Sequence, residues 1–398
     1  MLTHEANDRL TRVGPGTPMG NLMRRYWHPV ATTAELEKEP VLAVRLLGEN
    51  LALYRSPDGE LGLVAERCPH RGASMVYGIP EEGGLRCPYH GWKFSGEGVC
   101  LEQPAEPEDS TFKHRVRIPA YPAQELGGLI WAYLGPAPVP LLPRWDVLVR
   151  DDLERNIGIS HVPCNWLQCM ENSMDPIHFE WLHCYYGNYV FTKMGKPPVM
   201  THRKHLKIAF DLFEFGISKR RLLEGDTEES DDWTVGHPIL IPNILAVGDS
   251  QRPTFQIRVP VDDTHTLHYW YGTKKMPEGS PKQESVPIYD NPVFHKDGKL
   301  VVETINGQDM MAWVTQGPIS LREAERLGTS DKGVIFYRSV LMDQMERVAR
   351  GEDPMGTVRD PEQNEMIVIP REGEALRGFA QRRDVIAEVF EQVVGTSR

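Results

Sequence analysis

At 398 residues the chain has room for two domains and a sizeable core, and its 25% charged and 40% hydrophobic residues are those of an ordinary globular protein. A formal net charge of -12 argues against nucleic acid or an anionic membrane as partner. No stretch reaches the roughly 18 uninterrupted apolar residues of a membrane span, and the N-terminus lacks the apolar core of a signal peptide.

Residues 1–40 read as an N-terminal extension: a polar helical piece, an interruption at Gly14-Pro15-Gly16-Thr17-Pro18, then a short amphipathic stretch over Asn21–Trp27. Residues 41–140 read as a small all-β domain, with candidate strands at Val41–Leu47, Leu51–Tyr54, Leu61–Glu66, Arg115–Ile118 and Leu129–Leu134. Ser56-Pro57-Asp58-Gly59 is a turn in which Pro presets φ and Gly tolerates the left-handed position. The proline-rich Pro136–Pro143 marks the domain boundary.

Residues 145–398 change character and make the whole an α+β chain. A helical segment near Asn165–His183 precedes strand-like runs at His205–Gly216, Pro238–Val247, Thr254–Val259 and Thr266–Gly272. Glu224–Asp232 reads as a solvated acidic loop and Pro277–Pro292 as a second loop. Helices are expected at Leu321–Leu327, Phe336–Arg350 and Ala375–Val394. No internal repeat stands out.

Two loops of the first domain carry the densest chemistry. Cys68-Pro69-His70-Arg71-Gly72 and Cys87-Pro88-Tyr89-His90-Gly91-Trp92 form C-x-H, sixteen residues, then C-x2-H. A [2Fe–2S] cluster with both cysteines on one iron and both histidines on the other needs that inventory, and imidazoles in place of two thiolates raise its potential. Two Cys and two His are also a tetrahedral zinc set. Zinc pairs are usually spaced C-x2–4-C and H-x3–5-H, whereas each pair here is mixed, which suits two irons. Cys100, Cys164, Cys169 and Cys184 remain, expected as reduced thiols in a cytoplasmic protein.

The second informative stretch is Asn172-Ser-Met-Asp175-Pro-Ile-His178-Phe-Glu-Trp-Leu-His183. Asp175 and His178, three apart, share a helix face. His178 and His183, five apart, do not, unless a local bulge aims both imidazoles at one point. Two such histidines and a carboxylate from elsewhere make the facial triad of a non-haem Fe(II) oxygenase. A basic group, His202, Arg203, Lys204, His205 and Lys207 with Lys219, Arg220 and Arg221, reads chiefly as a solvated strand face. An anchor for a carboxylate-bearing aromatic is the alternative, and Arg258 shares that ambiguity.

Together the two motifs resemble the oxygenase component of the Rieske non-haem iron oxygenases, over essentially the whole chain. The resemblance implies a Rieske [2Fe–2S] domain on Cys68, His70, Cys87 and His90, followed by a helix-grip catalytic domain, an antiparallel sheet with helices. The pattern N-x2-D-x2-H-x4-H implies a mononuclear Fe(II) on His178 and His183, with Asp175 bridging to His90 of a neighbouring subunit in a homotrimer or a dimer of trimers. Asn306–Pro318 resembles the segment that supplies the third ligand in the phthalate-dioxygenase-like branch, which points to Asp309, with Glu303 and Asp331 as competitors. The N-terminus and Leu321–Asp331 are similar to the same branch, and the C-terminal part to dehydrodivanillate O-demethylase oxygenases. Rieske subunits of respiratory complexes carry an extra cysteine in each loop, where this chain has Gly72 and Tyr89.

The implied partners are O2, a small aromatic substrate and a flavin- and iron–sulfur-containing reductase drawing on NAD(P)H, with or without a separate ferredoxin. The implied reaction is hydroxylation, as oxidative O- or N-dealkylation or as ring dihydroxylation. An electron-transfer protein with a degenerate second domain is a further reading.

Overall fold

The computed structural model describes residues 2–198 and 200–371, so the helix expected at Ala375–Val394 lies outside the described residues. Helices α1 (His4–Thr11) and α2 (Pro18–Met23) start where the hydroxyls of Thr3 and Thr17 accept from the N–H groups of Ala6 and Gly20. Strand β1 (Trp27–Thr32) follows, buried along its whole length and therefore without the alternation that marks a strand in sequence. Helix α3 (Thr33–Lys38) is closed by a capping box between Thr32 and Glu35.

The first domain is all-β, as its sequence pattern predicts. Strands β2 (Val41–Leu46), β3 (Glu49–Arg55) and β4 (Leu61–Ala65) form a meander, extended by β9 (Ala120–Tyr121). A second small sheet takes β5 (Ile79–Glu81), β6 (Gly84–Arg86), β7 (Lys93–Phe94) and β8 (Cys100–Glu102) in chain order. A third joins β10 (Ala123–Leu126) and β1 to β11 (Leu129–Tyr133). The strand expected at Arg115–Ile118 does not form: Phe112–Arg115 is a 3-10 turn, and Arg117 makes only an isolated bridge to Val99.

The second domain is built on one eight-stranded sheet. After the single turn α4 (Asp146–Val149) come β12 (Leu153–Val162), α5 (Trp166–Met174), a π-helix (Phe179–Tyr186) and α6 (Gly187–Lys193). Then follow β13 (His205–Phe213), β14 (Gly216–Leu223), the turn α7 (Asp231–Thr234), β15 (His237–Leu240), β16 (Ile244–Val247), β17 (Thr254–Pro260), β18 (Thr266–Lys275) and β19 (Ile288–Asp290). Helices α8 (Ile305–Val314) and α9 (Lys332–Ala349) complete it. The strand order is β13-β14-β15-β16-β17-β18-β12-β19, antiparallel except where β19 joins β12 in parallel.

Several expectations change. Pro238–Val247 is two strands, because Ile241-Pro242-Asn243 turns the chain between them. Leu321–Leu327 is not helical: Arg322 is drawn inside to Glu171, and Glu325 turns to Arg338. The acidic loop is not wholly solvated, since Asp232 is buried beside Arg221. Among the described residues no helix is long and apolar enough to cross a membrane.

The sheet has two unlike faces. Phe255, Ile257 and Val259 of β17, with Tyr269 and Tyr271 of β18, face the main core. Thr254, Gln256 and Arg258, with Trp270 and Gly272, face the other way and line a cavity beneath α5 and α8. Period-two alternation thus gives one strand both a greasy side and a chemical one.

Candidate active site

The two Cys/His loops are built alike. In each, the cysteine N–H donates to a carbonyl five residues on, Ala73 or Trp92, and its carbonyl accepts from the glycine four residues on, Gly72 or Gly91. Both glycines sit at positive φ, 75° and 74°, where a side chain would be strained. The turns bury Cys68 and Cys87 and leave His70 and His90 half-buried, their rings 4.4 Å apart and crossed at 67°. His70 stacks on Trp92 at 4.3 Å, and its Nδ1 is buried with no hydrogen-bond partner among the described residues.

Thiols inside and imidazoles outside match the polarity of a cluster whose inner iron takes sulfur and whose outer iron takes nitrogen. A single zinc would need its four ligand atoms gathered round one point. Among the described residues, only His178, His183 and Asp309 are gathered that closely.

Those three come together for local reasons that can be followed along the chain. Pro176 forces Asp175 out of the helical region, to ψ 115°, so α5 stops at Met174. The Asp175 carboxylate then caps the next turn, accepting from Ile177 N–H at 2.7 Å and His178 N–H at 3.3 Å. On an α-helix, residues five apart point about 140° away from each other. The segment after His178 is instead a π-helix, whose i→i+5 bonding lays residues five apart on one turn. The two imidazole centroids are 5.1 Å apart.

Asp309 reaches the same point from α8, whose start is fixed by the Thr304 hydroxyl accepting from Gly307 N–H at 3.0 Å. Its Oδ1 lies 3.2 Å from His183 Nε2 and 3.8 Å from His178 Nε2. That oxygen is buried and makes no aligned hydrogen bond among the described residues, so the three side-chain atoms converge on a common point rather than on one another. All three lie within 4.8 Å, a donor set of two imidazoles and one carboxylate that suits a divalent iron. Burial works to raise the Asp309 carboxyl, but the neighbouring His183 imidazole overrides it and the net shift is downward. The competing carboxylates are engaged elsewhere: Glu303 with His295 at 3.0 Å and Asp331 with the Gly328 N–H.

Two features escape a reading of the sequence. Gln308 accepts from His183 Nδ1 at 3.0 Å and donates its amide to the Val302 carbonyl at 3.1 Å. The only signal for it is its place beside Asp309. The basic group also divides differently from expectation. Arg203 pairs with Asp226 and Lys207 with Glu228 near the surface, but Lys219 and Arg221 are buried and line the cavity with Arg258. Strand alternation makes the division: Lys219 and Arg221 point inward from β14 while Arg220, between them, pairs outward with Asp211.

The cavity measures about 650 Å³, within the usual range for small-molecule sites. Its walls include five cations (Lys219, Arg221, Arg252, Arg258, Lys274) against two carboxylates, Asp249 and Asp309. In a chain of net charge -12 this is a local inversion. Lys219 donates to the Ser173 carbonyl at 2.8 Å, and Arg221 lies 3.4 Å from Asp232. Arg258 is 1% exposed, donates to the Gln256 side chain at 2.6 Å and lies over the Trp313 ring, with no carboxylate within ion-pair distance among the described residues. Burial lowers its pKa to about 10, which leaves it charged at neutral pH.

Comparison with known proteins places these sites in context. Residues 26–122 match the model of the Rieske [2Fe-2S] domain, and residues 288–370 match a domain described as LigXa C-terminal domain like. A 5,5'-dehydrodivanillate O-demethylase oxygenase subunit of Sphingobium sp. is 44% identical over 375 residues, 93% of this chain and 87% of that one. A phthalate 4,5-dioxygenase oxygenase subunit of Pseudomonas putida is 33% identical over 404 residues, 90% of this chain and 89% of that one. In fold, the chain is similar to NdmA of Pseudomonas putida CBB5, with a TM-score of 0.62 at 23% identity, covering 84% of this chain and 94% of that one.

Proposed function

The chain belongs to the Rieske oxygenases as a terminal oxygenase component, and on that premise we propose that it O-demethylates a methoxylated aromatic carboxylate. His178, His183 and Asp309 hold the mononuclear iron in this reading, and Cys68, His70, Cys87 and His90 hold the [2Fe–2S] cluster. When bound, the [2Fe–2S] cluster would supply single electrons and the mononuclear iron O2 activation. The observation that carries the reading is the convergence of two imidazoles and one buried carboxylate oxygen at the wall of a cation-lined cavity.

The residues of the chain do the rest. Arg258, fixed by Gln256 and Trp313, takes the substrate carboxylate and thereby sets which part of the ring faces the triad. Phe179 and Trp270 line the wall with apolar surface that limits water. One oxygen atom enters a methyl C–H bond and the other leaves as water, consuming two electrons and two protons. The resulting hemiacetal breaks its C–O bond to give a phenol and formaldehyde.

The 44%-identical demethylase relative favours this outcome, and the dioxygenase relative keeps ring dihydroxylation as the second reading. Electrons reach the chain from a flavin- and iron–sulfur-containing reductase, directly or through a ferredoxin. Asp175, half-buried and 3.7 Å from His178 Nδ1, is the bridge to His90 of a neighbouring subunit in a trimer or a dimer of trimers.

Metal analysis with electron paramagnetic resonance tests the reading. It requires about three irons and two sulfides per chain with a Rieske-type signal. Two irons and two sulfides would remove the mononuclear site and leave an electron carrier. Formaldehyde released from a methoxybenzoate, against a cis-diol from the same ring, separates demethylation from dihydroxylation.

A further inference from the structure

We propose that Gln308 is the positioning residue that fixes His183 as a metal ligand, by holding the proton on Nδ1 and turning the Nε2 lone pair toward Asp309. The inference rests on the reading of His178, His183 and Asp309 as the metal-holding set and adds a determinant that lies outside it.

The amide orientation follows from its surroundings. Gln308 is 1% exposed and offers two unlike ends, a carbonyl oxygen and an NH2 group. The Val302 carbonyl, 3.1 Å from Nε2, can only accept, so the NH2 end must face it. The opposite flip would set two carbonyl oxygens against each other. Oε1 is therefore left facing His183 Nδ1 at 3.0 Å, and an acceptor there requires that nitrogen to carry the hydrogen. In a neutral imidazole the other nitrogen, Nε2, is then the one with the lone pair.

The grip is two-sided. Gln308 and Asp309, consecutive residues of α8, meet the same ring at its two nitrogens, Gln308 at Nδ1 and Asp309 at 3.2 Å from Nε2. His178 has no equivalent among the described residues: its Nδ1 is buried without a hydrogen-bond partner there, 3.7 Å from Asp175. Room for the amide comes from Gly187, where a Cβ would lie 3.2 Å from Gln308 Nε2 and 3.4 Å from Oε1. The first residue of α6 thus admits the side chain that orients the ring ending the H-x4-H motif. A neutral amide, in place of the carboxylate that often fills this role, fixes the tautomer without adding a second negative charge beside Asp309.

The test is Fe(II) affinity of the full-length, cluster-containing protein, measured without oxygen by competition with a chromophoric chelator. Gln308→Leu keeps the volume and removes the acceptor, and should bind Fe(II) about 10- to 100-fold more weakly, with cluster absorbance unchanged. Gln308→Glu keeps the acceptor toward His183 but sets an oxygen against the Val302 carbonyl, so it should recover part of the affinity and bind Fe(II) more tightly than the Leu variant. The visible bands of the Co(II)-substituted site should shift in the Leu variant and be retained in the Glu variant.

Equal affinity of parent and Leu variant would overturn the proposal, and so would a Glu variant as weak as Leu, since that pattern reports packing. If Gln308→Leu does not fold, Gly187→Ala displaces the amide without touching a ligand and must weaken Fe(II) binding severalfold. A parent chain with no mononuclear Fe(II) site would overturn the site assignment itself, a result distinct from either of these.

Discussion

Arg258→Met separates binding from stability, because its two expected effects differ in kind. In the empty protein, a buried guanidinium with no carboxylate partner among the described residues carries an uncompensated desolvation cost. Methionine keeps the stem volume and its contact with Trp313, and gives up the hydrogen bonds to Gln256. Loss of two hydrogen bonds, about 1 kcal/mol each, is offset by relief of the buried charge, so the thermal midpoint should hold within about 2 °C or rise. Binding should behave otherwise. Truncating one side of a buried, hydrogen-bonded charge pair costs about 2–5 kcal/mol, and 3 kcal/mol is about a hundredfold in Kd. The assay is anaerobic calorimetric titration with 3-methoxybenzoate and with its neutral methyl ester. The parent should prefer the acid, and the variant should lose most of that preference while binding the ester nearly as the parent does. An unchanged preference for the acid would refute the anchoring role. A fall of many degrees in the midpoint would show that Arg258 holds the fold rather than the substrate.

Three further outcomes are expected. Asp309→Ala should empty the mononuclear site while the [2Fe–2S] absorbance persists, and unchanged iron content would place the third ligand elsewhere. Asp175→Asn, which can still accept from the Ile177 N–H, should keep about three irons per chain yet lose turnover; retained activity would remove the bridging role. Glu171 is buried between Arg322 (2.7 Å) and Arg338 (2.6 Å); burial works to raise its pKa, and the two guanidiniums override it, so its folded value lies below the usual one. A depressed carboxylate stabilises the fold fully above its unfolded value of about 4.3, and that contribution is lost as pH falls through the lower folded value. Glu171→Gln should therefore cost about 3 kcal/mol at neutral pH and flatten the acid limb of the midpoint-versus-pH curve; a parallel limb in both proteins would refute it.

How far each feature could be read in advance follows from how strictly its chemistry limits residue type. A Rieske cluster admits only cysteine and histidine, so Cys68, His70, Cys87 and His90 stand out in the bare sequence. The five-residue gap between His178 and His183 was legible as an anomaly of helical spacing, and the π-helix is its structural resolution. Strand β1 was hidden by being buried throughout, and β14 by carrying Lys219 and Arg221 where an apolar face would be expected. Strand alternation says that neighbouring residues diverge, but not which of them enters a cavity; that choice is made by the sheet's packing on the core through residues such as Ile217. Arg258, open in the sequence between a solvated face and an anchor, and Gln308, not visible there at all, were obscured for a different reason. Guanidinium and amide groups are tolerated at many surface positions, and what gives these two a task is burial against residues distant in sequence. Gln308 meets His183 across 125 positions, and Arg258 meets Trp313 from the opposite layer. The fold thus assigns by burial what the sequence offers only as composition, and the substrate preference of this chain is the property most exposed to that assignment.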